Sequence, residues 1–193
     1  MRFLRTFITA VFLLAITPAA ALADGMIIPF FGANFGGDTG GLSEGVDAAR
    51  FTYGVSFAWM GGGVAGVEGD IGYSPDFFGK TDVGGSSVLT GMVNLLIGVP
   101  FGGQSGFGVR PYGAVGLGIV HTSGEGFNNV LDTGDNKLGW NFGGGLLIFF
   151  AKHVGIRGDL RYFRTFETVD LLEGSGGGDL DFTRGTGGFV IRF

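Results

Sequence analysis

Arg50-Phe51-Thr52-Tyr53-Gly54-Val55-Ser56-Phe57-Ala58-Trp59 decides how this chain is read. Phe51, Tyr53, Val55, Phe57 and Trp59 fall on one parity. Arg50, Thr52, Gly54, Ser56 and Ala58 fall on the other. Successive side chains of a β-strand point to opposite faces, so this alternation predicts a strand with one apolar and one polar face. The apolar face carries large aromatics near both ends. Phe51 and Trp59 are separated by a height of roughly 20 Å at ~3.4 Å per residue and a ~40° tilt, which approaches the apolar band of a membrane barrel.

The same period recurs on both sides of this segment. Val64–Ser74 sets Ala65, Val67, Ile71 and Tyr73 against Glu68, Asp70 and Ser74. Ser87–Val99 sets Leu89, Val93, Leu95, Ile97 and Val99 against Thr90, Met92 and Asn94. Phe107–His121 sets Val109, Val115, Leu117 and Ile119 against Arg110, Tyr112, Gly116 and Gly118. Lys137–Phe150 sets Leu138, Trp140, Phe142, Leu146 and Ile148 against Asn141, Gly143 and Gly145. Val154–Arg164 sets Val154, Ile156, Leu160 and Tyr162 against Arg157, Asp159 and Arg161. Asp179–Phe193 sets Phe189, Ile191 and Phe193 against Arg184, Thr186 and Arg192. Met26–Phe35 is the weakest strand, apolar on both faces and carrying Pro29.

Eight strands result, joined by connections that alternate in length. Residues 60–63, 100–106 and 151–153 are short links. Residues 36–49, 75–86, 122–136 and 165–178 are longer and rich in Gly, Asp, Ser and Asn. An up-and-down membrane barrel has short periplasmic turns and longer outer loops. The fold class expected is therefore all-β: an eight-stranded antiparallel up-and-down transmembrane β-barrel with both termini periplasmic. A soluble barrel would alternate with the opposite polarity. Two features favour lipid outside: the aromatic ends of the apolar face, and the small residues Gly54, Gly66, Gly116, Gly143 and Gly145 on the polar face. An interior of eight strands is only wide enough to be filled by side chains, and glycine leaves room for arginine.

The first residues read as an export signal. Arg2 and Arg5 are basic, Phe7–Ile16 is a short apolar core, Pro18 breaks it, and Ala21-Leu22-Ala23 is a small-residue cleavage motif. The apolar run is too short to span a bilayer as a helix. The expected organisation is a signal peptide over 1–23 and a barrel domain over 24–193. Losing Arg2 and Arg5 leaves ten basic residues of the original 12 against 17 acidic ones, a net charge of −7. That balance argues against a nucleic-acid partner. The chain has no cysteine, which removes disulfides, thiolate metal sites and cysteine nucleophiles.

On this polarity Glu68, Asp70, Arg110, Arg157, Asp159 and Arg161 are enclosed, with Arg50, Arg184 and Arg192 as further members. Charges removed from water must pair or be hydrated, so an interior network is expected. Two readings follow: a polar plug that sets strand register, or a charge-lined narrow channel for small solutes and ions.

Several segments as a set resemble the bacterial outer-membrane β-barrel domain family of small OmpA-, OmpX- and opacity-type barrels. They are Asn94–Pro100, Arg110-Pro111-Tyr112 with Gly116-Leu117-Gly118, and Gly155-Ile156-Arg157-Gly158-Asp159-Leu160-Arg161-Tyr162-Phe163. The resemblance implies residence in the cell outer membrane, contact with its lipid and lipopolysaccharide, and a monomer. Phe189, Ile191 and Phe193 resemble the C-terminal strand signal of such proteins, which implies reading by the barrel-assembly machinery. No peptidoglycan-binding domain of the OmpA kind follows Phe193, so no tether by that route is expected. The family has no common activity, and the resemblance brings no catalytic residue.

One motif tempts an enzyme reading. His121-Thr122-Ser123, with Asp135 near the start of the next strand, looks similar to the His-x-Ser pair and carboxylate of outer-membrane lipid A deacylases. The alternative is a girdle histidine beside an ordinary loop serine. His121 and His153 stand far apart in the topology and make no metal site. Gly124-Glu125-Gly126 and Gly176-Gly177-Gly178 join no strand to a helix and so cradle no phosphate. No cofactor is expected.

The long connections are acidic: Asp38, Glu44, Asp47, Asp76, Asp82, Glu125, Asp132, Asp135, Glu167, Asp170 and Glu173, with Lys80 as the basic exception. Such carboxylates either hold divalent cations that bridge to lipopolysaccharide phosphates or simply solvate the loops. Phe77, Phe78, Phe127, Leu171 and Leu172 are either anchors for an extracellular ligand or pack among themselves and on headgroups. The expectation is a non-enzymatic barrel with a structural or surface-interaction role. Its alternatives are the narrow channel and, more remotely, a lipid A-modifying hydrolase.

Overall fold

The computed structural model describes residues 23–36, 49–77, 86–102, 106–124, 135–166 and 180–193. The strands are β1 (Ala23–Gly36), β2 (Arg50–Gly61), β3 (Ala65–Pro75), β4 (Ser86–Gly98), β5 (Phe101–Gly102), β6 (Gly108–Gly124), β7 (Asp135–Phe149), β8 (Val154–Thr165) and β9 (Asp181–Arg192). β5 is a two-residue ribbon that extends the turn between β4 and β6 by pairing Phe101 with Val109. The other eight pair antiparallel in chain order, and β9 returns to β1, so the sheet closes on itself. The signal segment and most of the four long connections lie outside the described residues, and with them Asp38, Glu44, Asp47, Phe78, Lys80, Asp82, Glu125, Phe127, Asp132, Glu167, Asp170, Leu171, Leu172 and Glu173.

Closure carries a stagger. From Met26 the partners run through Ala58, Glu68, Asn94, Gly116, Asn141, Phe163 and Phe182, and the circuit returns to β1 at Gly36, ten residues along the strand from where it left. A closed sheet must be sheared in this way because its strands tilt against the barrel axis. Pro29 sits where pairing with β9 lapses. The register holds at Ile27↔Ile191 and resumes at Phe30↔Gly188. Proline has no N–H to give the ladder, which accounts for its place at that gap.

Burial separates the faces as the alternation predicts. Val93, Leu95, Ile97, Val115, Leu117, Leu138, Leu160 and Phe189 are exposed on the outside, while the opposite parity of each strand is buried. The outer wall is thus continuously apolar, a surface that water does not stabilise and lipid does. Aromatic groups gather on it at the long-connection end. Tyr53 packs edge-on to Tyr73 at 5.7 Å, and Trp140 stacks on Phe142 at 5.7 Å with Tyr162 beside both. Trp59, Phe101, Phe107, Phe150 and Phe193 mark the other end, where β1 begins and β9 ends.

The interior departs from the expected polar lining. Met26, Ile28, Met60, Leu96, Leu147, Phe149 and Val190 form an inward apolar cluster at the short-turn end. Phe77, Val88, Met92, Val120, Phe163, Leu180 and Phe182 form a second towards the long connections. Phe77 therefore is no exposed anchor: it is buried and packs edge-on to Phe182 at 5.2 Å.

Candidate functional site

Between the two apolar clusters lies a charged tier. β3 supplies Glu68 and Asp70, β8 supplies Arg157, Asp159 and Arg161, and β9 supplies Arg184, all buried. Alternation puts residues 157, 159 and 161 on one face, so three charges of β8 enter the lumen in succession. Four of these groups close a square of alternating sign. Arg157 reaches Glu68 at 2.5 Å and Asp159 at 3.0 Å; Arg161 reaches Glu68 at 2.7 Å and Asp159 at 2.8 Å. Each arginine touches both acids, and the square is neutral.

Asp70 and Arg184 form a separate pair at 2.5 Å. Ser56 donates to Asp70 at 2.9 Å, and Arg184 donates to Thr90 Oγ1 at 3.3 Å. The Arg184 guanidinium also lies over the rings of Phe163 and Phe30, at 4.6 and 5.0 Å from their centroids. A planar cation on aromatic faces joins the charged tier to the apolar one above it. Uncharged groups extend the square sideways. Asn94 donates to Glu68 at 2.9 Å, Asn141 donates to Asn94 at 2.8 Å, and the Tyr112 hydroxyl donates to Asp159.

The glycines are where these side chains need them. A Cβ on Gly143 would stand 3.0 Å from Arg161 Cγ, and one on Gly72 would stand 2.5 Å from Arg184 Nη1. At Gly143 the tighter approach is to the β8 backbone, 2.1 Å from Leu160 O, while at Gly72 the Arg184 guanidinium would have to shift.

Three expected members of the network lie elsewhere. Arg110 is buried but sits at the short-turn end. It pairs with Asp24 at 3.0 Å and lies over Phe149, because its place on β6 falls below the level of Glu68. Arg192 joins it there, 3.7 Å from Asp24 and 4.4 Å from the same ring, and donates to Lys152 O at 2.6 Å. Arg50 is at the opposite rim, donating to Asp76 O at 3.0 Å. Phe189, Ile191 and Phe193 face outward, and the chain end extends the β1–β9 seam through Phe193 N–H to Gly25 O at 2.9 Å.

At the long-connection rim the outward face of β6 carries His121 and Ser123. Ser123 Oγ lies 3.0 Å from His121 Nε2. The group at His121 Nδ1 is not the expected carboxylate of Asp135 but the Asn136 side-chain oxygen, at 2.9 Å, since Asn136 is the residue opposite His121 in the β6–β7 register. The side chain of Asp135 is outside the described set. His153 is bound to Arg192 O at 2.9 Å, far from His121. Among the described residues no group of three or more His, Asp or Glu side chains is arranged to hold a metal ion.

Comparison with known proteins places this geometry. A family model described as outer membrane protein beta-barrel domain matches residues 7–193. No curated protein matches the sequence. The structure is similar to Neisserial surface protein A (NspA), with a TM-score of 0.63 and 14% identity, covering 89% of this chain and 99% of that one. It is also similar to Ail, the attachment invasion locus protein of Yersinia pestis, with a TM-score of 0.55 and 14% identity, covering 89% of this chain and 98% of that one. Ail is also known in complex with the heparin analogue sucrose octasulfate. At this identity the likeness concerns the fold.

Proposed function

The chain belongs to the outer membrane protein β-barrel domain family, and from that premise we propose that it is a sealed scaffold which carries a binding surface on its long connections. It resides in the cell outer membrane. On this reading residues 1–23 are an export signal removed on passage, the termini face the periplasm, and the C-terminal strand engages the assembly machinery during insertion.

The filled lumen is the observation that supports sealing. An eight-stranded barrel leaves no wide bore. The space that remains is taken by a neutral square of charge, an Asp70–Arg184 pair and an apolar cluster on either side. A permeating ion would have to displace both apolar layers and then break paired charges. The expected result in planar bilayers is no stepwise conductance from the purified protein. Reproducible steps that change on Asp70→Asn would instead establish the channel reading.

The chemistry of the loops sets the class of ligand. Their carboxylates, with Lys80 as the basic exception, repel a polyanion such as the heparin analogue seen with Ail. They suit a cationic partner, or lipopolysaccharide phosphates bridged by divalent ions. Micellar protein is expected to be retained on immobilised polylysine and released as salt rises, because exposed charges are screened. It should pass through immobilised heparin. Retention on heparin in the absence of divalent ions would overturn this assignment.

A further inference from the structure

The two ends of the chain's barrel differ in charge. The long connections are acidic, whereas the short links 60–63, 100–106 and 151–153 contain no Asp or Glu and bring in Lys152. Deeper in the lumen the charges balance: Arg157 and Arg161 match Glu68 and Asp159, and Arg184 matches Asp70. At the short-turn mouth they do not. Arg110 and Arg192 are both buried, and both converge on one oxygen, Asp24 Oδ2, at 3.0 and 3.7 Å. Two guanidinium charges thus share one carboxylate, and a buried cation held in this way gains from a further anion.

Hydrogen bonding shows the same shortfall. Arg110 Nη1 donates to the Met60 sulfur at 3.8 Å, a weak acceptor. Arg110 Nε is buried and has no partner among the described residues. Arg192 spends its Nε proton on Lys152 O at 2.6 Å, and its 3.7 Å approach to Asp24 is beyond hydrogen-bond reach. Donors on both arginines are therefore left for another oxygen.

The surroundings hold these donors in place. Both guanidinium groups lie against the ring of Phe149, at 5.2 and 4.4 Å from its centroid, which fixes them beside each other despite their like charge. The β2–β3 turn passes over Arg110, where a Cβ on Gly63 would stand 2.6 Å from its Cζ. The Asp24 side is the open one, since that side chain is 34% exposed. A solute entering there meets both arginines beside the carboxylate. The exposed Lys152 on the rim adds attraction for anions at longer range.

We propose that the short-turn mouth is an oxyanion site which takes a phosphate group between Arg110 and Arg192, with Asp24 as a built-in carboxylate that limits its affinity. Guanidinium forks match phosphate oxygens. Two forks arriving from different strands suit a tetrahedral group better than a second planar carboxylate. The group is carried either by free phosphate or by the headgroup of a phospholipid in the adjoining leaflet. That this mouth faces the periplasm rests on the scaffold reading. The binding itself does not, so it stands or falls apart from conductance and from what the loops hold.

The test titrates folded protein, checked by its heat-dependent gel mobility, in maltoside micelles, which carry no phosphate. One arm adds inorganic phosphate and the other a short-chain phosphatidylglycerol, both at ionic strength held constant with chloride. A saturable heat of binding is expected in at least one arm, and the tighter arm identifies the source. Arg110→Gln and Arg192→Gln should each weaken binding about tenfold or more. Arg110→Lys keeps the charge without the fork; it should also bind more weakly, and it serves where the glutamine variant does not fold. Asp24→Asn should tighten binding about tenfold, because it removes the competing negative charge. A purely structural Asp24–Arg110 pair predicts only lower stability for that variant, so unchanged or weaker binding by folded Asp24→Asn would overturn the role given to Asp24. No saturable response to either ligand by correctly folded wild type, or one that survives undiminished in Arg192→Gln, would overturn the site.

Discussion

Replacing Arg161 with methionine is expected to lower the unfolding free energy by about 3–5 kcal/mol, the usual cost of breaking a buried ion pair from one side. Arg161 is among the most completely buried side chains of the barrel, and it touches Glu68 at 2.7 Å and Asp159 at 2.8 Å. Methionine replaces its stem but not its charge. Glu68 and Asp159 are then left with Arg157 alone, and the square carries an uncompensated negative charge between two apolar clusters. The second arm is the double variant Glu68→Gln with Arg161→Met, which restores neutrality and leaves Arg157 on Asp159. Its cost should fall short of the sum of the single costs by roughly 0.5–3 kcal/mol, as coupled neighbours do. Urea unfolding of protein refolded into vesicles, followed by the fluorescence of Trp59 and Trp140, measures all three. A single variant within 1 kcal/mol of wild type would mean that water solvates the lumen, and the sealed-scaffold reading would go with it.

That square also shows how far the sequence can be read unaided. The parity of Glu68, Asp70, Arg157, Asp159 and Arg161 is local information, and alternation alone places them all on the enclosed face. Which of them touch is set by register around the closed sheet, where Glu68 and Arg157 are 89 residues apart. The same limit explains Arg110 and Arg192. Both have inward parity, yet Asp24 and Phe149 hold them at the short-turn end, because inward residues of one parity lie at different heights on each strand. The inward apolar residues were visible in principle. Met60, Leu96, Leu147 and Phe149 continue the enclosed parity of their strands, but they sit next to apolar outward residues and blur the alternation at the strand ends. The ribbon of Phe101 and Gly102 is hidden in a stretch that reads as a plain turn; Gly102 takes a positive φ of 73°, which glycine adopts without strain.

The His121–Ser123 contact at the rim marks a different boundary. His121 and Ser123 share a face by sequence spacing, so their pairing was legible. The neighbour of His121 Nδ1 was not. By sequence the candidate is the carboxylate of Asp135, whereas a one-residue difference in register decides which β7 residue stands opposite His121. The position belongs to Asn136. In a strand, such a step also changes which face the side chain occupies.

Val115→Arg is expected to cost about 2–4 kcal/mol and Ser87→Arg about 0–1 kcal/mol, because the penalty for a cation on the lipid face falls from the bilayer midplane to the interface. Val115 is 54% exposed, midway along the outward face of β6, between Leu95 and Phe142 on the neighbouring strands. Those paired neighbours, Leu95 and Phe142, offer no polar side chain to a guanidinium. Ser87 is at the long-connection rim, directly opposite Ser123. A water-soluble barrel would tolerate arginine equally at both positions, since each side chain already points away from the interior. A shallow profile with equal costs would thus displace the apolar band from where the wall of Val93, Leu95, Val115 and Leu117 puts it. Ser87 pairs with Ser123 across β4 and β6, so a small cost at Ser87 locates this rim where the lipid headgroups begin. A cost at Ser87 as large as that at Val115 would sink the rim into the hydrocarbon.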